Sequence, residues 1–354
     1  MTTSELIEKR LHHQKLTASD FTKPAEVVAW LGAVQAQDFP MAKWSLGLRA
    51  PGLTDAAVEQ AFNEGAILRT HILRPTWHFV TPEDIRWMLQ LTAPRVHVAN
   101  GSMYRKCGLD EAIFRRSHTV LEKALQGGKQ LTRDEIGEEF QRAGIACTAE
   151  FQRTYLVMQA ELEGVICSGG RRGKQFTYAL LAERAPNAKT LPREEALAEL
   201  TRRYFSSHGP ATLHDFSWWS GLTLGEVKQG IASVQTEFAK KIFNGKEYWL
   251  PLAPTPGNDP SQTFFLLSLF DESVVAYKDR SALTHPRRAE KGEKVVDFMN
   301  HMVLGGQIAG MWKREVKRRG VVFEVEPCFD FGEEEERLLA AGKRRYEAFV
   351  GLEI

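Results

Sequence analysis

Three cations crowd one glycine-rich turn: Arg171, Arg172 and Lys174 lie within Gly169-Gly170-Arg171-Arg172-Gly173-Lys174. No Asp or Glu occurs between Glu163 and Glu183, so nothing close in sequence neutralises them. Three positive side chains at a turn tip can hold phosphates, and glycines let a backbone approach a ligand closely. A second basic group, Lys313, Arg314, Lys317, Arg318 and Arg319, is interrupted by Glu315 and reads equally well as exposed strand and turn. Arg280 closes the run Tyr277-Lys278-Asp279-Arg280; it can reach a phosphate or pair with Asp279 or Asp271.

Other chemistries find no foothold in the residue pattern. The histidines form no HExxH and share no metal-ligand spacing with cysteine. There is no Walker A loop, no Rossmann glycine pattern, no GxSxG and no carboxylate pair of recognisable spacing. An enzyme built from these residues would work without metal or nucleotide cofactor. Gln35-Ala36-Gln37-Asp38, taken alone, reads as solvent-facing glutamines at a helix end.

The elements that would position these residues repeat one order: three helices, then a two-stranded hairpin. In the first stretch Ser4 caps a helix to Leu11, and Lys23-Pro24 opens a second that runs through Gln37 before Pro40 limits it. Thr54 caps a third, and Ile67–Arg69 and Trp77–Val80 read as strands. In the second, Asp110 caps a helix to Leu125, and Thr132 with Glu135 forms a capping box. Phe151, Tyr155, Met158 and Leu162 then share a helical face, and strands 165–168 and 175–180 flank the basic turn. In the third, helices begin at Pro192, Thr212 and Thr223, and Asn244-Gly245 turns a hairpin. After a Pro- and Gly-rich linker at 253–261, strands dominate until a final helix at 335–350.

The expected fold class is therefore α+β: winged-helix units at 1–100, 101–190 and 191–255, and a small β-rich domain with a terminal helix at 256–354. A winged helix places its third helix in a major groove and its hairpin on phosphate or minor groove, so the expected partner is double-stranded DNA. Three units in one chain can embrace a duplex as a monomer. A sequence-reading regulator is the non-catalytic alternative, and it would show a preferred DNA sequence.

Composition bounds this reading. The 354 residues carry a net charge of +1, low for a DNA-binding protein, so contact must be confined to a locally basic surface. The N-terminal segment lacks an apolar signal core, and no run approaches the ~18 apolar residues that span a bilayer. The four cysteines show no CxxC spacing and read as reduced thiols. These features point to a cytoplasmic, nucleoid-associated protein.

Four segments together carry a resemblance. They are Leu31-Gly32-Ala33-Val34-Gln35-Ala36-Gln37-Asp38; Arg69-Thr70 with Thr76-Trp77-His78-Phe79-Val80; Trp218-Trp219-Ser220-Gly221-Leu222; and Phe270-Asp271-Glu272 with Tyr277-Lys278-Asp279-Arg280. In order and spacing they resemble the AlkZ-like DNA glycosylases, bacterial winged-helix proteins with a catalytic Gln-x-Gln motif. The resemblance implies tandem winged helices in a C shape, a C-terminal β domain, and hydrolysis of the N-glycosidic bond of alkylated bases. It makes Gln35 and Gln37 the catalytic pair, places Thr76 and His78 beside them on DNA, and assigns the 169–174 hairpin to DNA contact. Two positions inform the branch: many relatives have a Pro-Met-Arg-Gly-type stretch where this chain has His71-Ile72-Leu73-Arg74-Pro75, and Gln37 stands where another branch has Asp.

Overall fold

The computed structural model describes residues 1–147, 150–254, 260–289, 299–318 and 320–351; Arg319 of the second basic group and 255–259 of the expected linker lie outside them. The chain opens with α1 (Thr3–His13), capped by Thr2 and Glu5 in a reciprocal capping box two residues before the serine expected to cap it. Helix α2 (Pro24–Leu31) stops six residues short of the expected end, because Gly32 turns the backbone to φ +81°. The chain then extends as β1 (Val34–Gln35), so Gln35 lies in a strand and not at a helix end. Asp38 caps α3 (Phe39–Gly47), and Pro40, expected as a stop, sits in its first turn, where a missing N–H costs nothing. Thr54 caps α4 (Asp55–Glu64) as expected, and β2 (Leu68–His71) pairs antiparallel with β3 (Trp77–Val80). The 22-residue α5 (Ile85–Lys106), which carries Pro94 inside it, covers a stretch where no element was expected.

Next come α6 (Glu111–Leu125), β4 (Leu131–Thr132), α7 (Arg133–Arg142) and α8 (Glu150–Leu162), with the Asp110 cap and the Thr132–Glu135 box both formed. Strands β5 (Ile166–Ser168) and β6 (Thr177–Leu180) flank the basic turn, followed by the short α9 (Leu181–Arg184). Then α10 (Arg193–His208), α11 (Leu213–Ser220) and α12 (Leu224–Val234) precede the hairpin β7 (Phe238–Phe243) and β8 (Lys246–Pro251). Asn244 at φ +47° and Gly245 at φ +71° give that hairpin the left-handed turn expected of an Asn-Gly pair. The remainder is β9 (Phe264–Leu266), α13 (Glu272–Val275), α14 (Pro286–Ala289), β10 (His301–Leu304), β11 (Gln307–Lys317), β12 (Gly320–Pro327) and α15 (Glu333–Phe349). No helix among the described residues is long and apolar enough to cross a membrane.

The chain packs as two compact units that interleave in sequence. One comprises Gln60–Leu197 with Ser220–Leu222. Its core gathers Leu121 and Leu125 of α6, Ile136 and Phe140 of α7, and Leu156, Val157 and Ala160 of α8. These pack with Ile166 and Tyr178 of an antiparallel sheet ordered β4-β6-β5. Phe151, expected on the inward face of α8, is instead exposed. It lies one turn before the residues that meet α5 and α6.

The other unit comprises Met1–Glu59, Ala198–Trp219 and Thr223–Ile354. It holds an antiparallel sheet ordered β12-β11-β10-β9. The ring of Trp44 on α3 meets Tyr346 and Phe349 of α15 at 5.0 and 5.1 Å, and Trp312 of β11 meets Tyr346 at 5.4 Å. A second aromatic group joins α10 to α11: Tyr204 stacks on His208 at 4.8 Å and lies 5.1 Å from Trp219. Gly47 is the tight point. A Cβ there would sit 2.6 Å from two carbons of the buried Phe349 ring. Gly47→Ala should therefore cost about 1–3 kcal/mol by overpacking. Thermal unfolding would show a lowered Tm, and an unchanged Tm would mean that α15 yields freely.

Candidate active site

Strand β1 presents Gln35 at 8% exposure, while Gln37, two residues on, is exposed. The main-chain N–H of Gln35 donates to Oε1 of Glu272 at 2.8 Å, across 237 residues of sequence. The other oxygen of Glu272 accepts from the Trp219 indole N–H at 2.9 Å, and the His208 Nε2 lies 3.6 Å from it. Glu272 is fully buried. Burial holds the His208 imidazole below its ordinary range, so at neutral pH it adds no positive charge beside the carboxylate.

Asp271, next in the chain, anchors this layer. Arg49 forks onto it, Nη1 to Oδ2 and Nη2 to Oδ1, both at 2.8 Å, and both side chains are fully buried. Ser45 Oγ donates to Oδ2 at 2.9 Å, and Ser273 N–H to Oδ1 at 2.9 Å, which caps α13. Arg49 also ties Gln14, through its carbonyl and its side-chain oxygen, each at 3.0 Å. Burial alone would raise the Asp271 carboxyl; the Arg49 charge and the bonds from Arg49 and Ser273 outweigh it and bring it down to about 2. Asp271 is thus committed to Arg49, which the sequence did not reveal, and Asp279 receives Lys246 Nζ at 2.5 Å. Arg280 donates through Nε to the Val274 carbonyl at 3.0 Å and lies over the Trp218 ring at 5.7 Å.

The remaining expected site residues belong to the other unit. His78 is fully buried on β3, with Nδ1 3.0 Å from the Thr76 carbonyl, and Thr76 is half-buried just before the strand. At the basic hairpin, Arg172 pairs with Glu135 of α7 at 2.7 Å and donates to the Gln130 carbonyl at 2.8 Å. The acid that sequence proximity excluded is supplied by the fold. Arg171 Nη2 donates to the Lys174 carbonyl at 2.9 Å, its main-chain N–H donates to Asn63 Oδ1 at 2.7 Å, and Lys174 is exposed. Gly169 serves the hairpin's own packing: a Cβ there would meet Thr177 Oγ1 at 2.4 Å and Gln130 Oε1 at 2.7 Å. Among the described residues no group of three or more His, Cys, Asp or Glu is placed to hold a metal ion.

Comparison with known proteins assigns the class. The family model of DNA glycosylase AlkZ-like proteins matches residues 28–349, and the chain belongs to the AlkZ-like DNA glycosylase family. It is therefore a DNA repair enzyme of the glycosylase class. Among its relatives, the interstrand DNA cross-link repair glycosylase of Streptomyces sahachiroi is 24% identical over 325 residues, covering 86% of this chain and 85% of that protein. The solved structure of the Streptomyces sahachiroi DNA glycosylase AlkZ superposes with a TM-score of 0.79 at 19% identity, covering 99% of this chain and 97% of that one, and so shares its fold.

Proposed function

We propose that this protein hydrolyses the N-glycosidic bond of N-alkylated, cationic purines in duplex DNA, as a monomeric, monofunctional glycosylase in which Gln35 and Gln37 hold the attacking water. The observation that carries the reading is the end of α2 at Leu31. On a continuous helix Gln35 and Gln37 would lie about 200° apart and face opposite ways. With Gln35 in extended backbone instead, that obstacle is gone.

A cationic base is already a good leaving group, so no acid is needed to protonate it. What the site must supply is an oriented water and dipoles that favour an oxocarbenium-like sugar. Amide oxygens accept and amide NH₂ groups donate, so two glutamines can do both. Neutral groups give little help to the departure of an unmodified base, which makes the site selective for cationic lesions. A purine cross-linked through N7 carries the same positive charge, so the reading extends to one arm of an interstrand cross-link, the lesion in the Streptomyces relative's name. The reading also takes the helix-and-hairpin stretches as winged helices, places the enzyme on nucleoid DNA, and keeps Thr76 and Arg280 as DNA contacts, each on its own unit; His78, fully buried on β3, would act through the Thr76 segment whose carbonyl it meets. Liberation of N7-methylguanine from methylated duplex DNA tests it. No release by the wild-type protein, or sharp sequence preference without release, would replace it with the regulator.

The basic hairpin enters this reading as a phosphate contact. Replacing Arg171, Arg172 and Lys174 together by alanine should flatten the log–log salt dependence of DNA binding by about 1–2, less than the ~2.7 of three full phosphate contacts at ~0.9 each, because Arg172 is held by Glu135. Lys174→Ala should give the largest single change. An unchanged slope would remove the hairpin from the interface.

A further inference from the structure

Glu272 is fully buried, yet its two carboxylate oxygens are aimed at the two segments that frame the glutamines. One takes the N–H of Gln35 itself. The other takes the indole of Trp219, whose ring edge lies 3.6 Å from where a Cβ on Gly32 would be, at the turn that ends α2. The residue before the pair, Phe270, holds φ +63°, a left-handed conformation that bulky side chains rarely adopt and that a folded protein keeps only where its surroundings enforce it. That turn ends the extended run from β9 and directs Asp271 and Glu272 inward, onto Arg49 and onto β1. A buried carboxylate is costly unless its acceptors are filled. Here the acceptors are filled by the Gln35 main-chain N–H and the Trp219 indole, so one carboxylate ties β1 to α11.

We infer that Glu272 is a positioning residue for the reaction: it clamps the Gln35 main chain and the Trp219 indole, and so sets where the Gln35 amide meets the attacking water. This rests on the glycosylase reading above. Glu272→Gln keeps the shape but offers one acceptor to two donors, so either Gln35 or Trp219 must face an NH₂ group. Single-turnover release of N7-methylguanine by the full chain should fall at least tenfold, with the Kd for the same duplex within about twofold of wild type. In a Gln35→Ala background the same substitution should change the residual rate little, because the side chain it positions is gone. Wild-type release by folded Glu272→Gln, or an undiminished effect in the Gln35→Ala background, overturns the inference. Should Glu272→Gln fail to fold, Trp219→Phe, which frees one oxygen and leaves the Gln35 bond, is expected to slow release several-fold at unchanged Kd. A wild-type rate for that variant overturns the inference equally. Slow Gln35→Ala with normal Glu272→Gln sinks only this inference; normal Gln35→Ala sinks the glycosylase mechanism itself.

Discussion

Release of N7-methylguanine from duplex DNA should fall about a hundred- to a thousandfold in Gln35→Ala and in Gln37→Ala, the range seen when one preorganised polar group is removed from a site where charge develops. The fold should survive both changes. The bond that ties β1 to Glu272 is made by the main-chain N–H of Gln35, which alanine retains, and the Gln37 side chain is exposed. The double variant should be only slightly slower than either single one, since two groups that hold one water act as a unit. Binding to the same duplex should change by no more than about twofold. Full activity in the double variant would end the assignment, and loss of DNA binding in step with activity would make the glutamines contacts and not catalysts.

The second large effect concerns stability. Arg49→Met should destabilise the protein by about 3–5 kcal/mol, the usual cost of leaving one half of a buried ion pair behind. For a chain of this length that corresponds to a Tm lowered by about 4–7 °C. Its signature is in the pH dependence. In the native protein Asp271 is held at about 2 against an ordinary 3.8. The contribution of Asp271 is therefore complete above about pH 4 and is lost as pH falls toward 2, an effect on the order of 2 kcal/mol. Without Arg49, burial is opposed by the bonds from Ser45 and Ser273 and no longer by that charge, so the carboxyl rises from its native value, and the variant recovers part of its lost stability as the acid protonates. The gap between variant and wild type should thus narrow as pH falls. A gap that stays constant would mean that Arg49 contributes packing and not charge.

What could be seen in the sequence was what is settled locally. The Thr132–Glu135 box, the Asp110 cap and the Asn244-Gly245 turn are each decided within four residues, and each forms. Helix α3 escaped because it is buried nearly all round: Lys43 and Ser45 are covered along with Phe39, Met41, Trp44 and Leu46, so no polar stripe marks its period. The end of α2 is not marked by the apolar spacing, which Val34 continues; the left-handed φ of Gly32 overrides that spacing. The candidate site was legible as a set of segments, through Leu31–Asp38 and Phe270–Glu272, but not as a network. Nothing near Asp271 in sequence announces Arg49, 222 residues away, and nothing near Arg172 announces Glu135. Tertiary partners of buried charges leave no local trace.

The interleaving of the two units has a consequence for the order in which the protein is made. Residues 60–197 form one unit almost entirely from a continuous stretch and can collapse as soon as they leave the ribosome. The unit that holds Gln35 must wait for its later pieces, because Trp219 and Glu272 are translated long after it. Until then the glutamine strand has no carboxylate to hold it, and a chain arrested near residue 260 would carry both glutamines without the clamp. The basic hairpin can therefore fold early in synthesis, while the layer that holds Gln35 is complete only once residue 272 has been made.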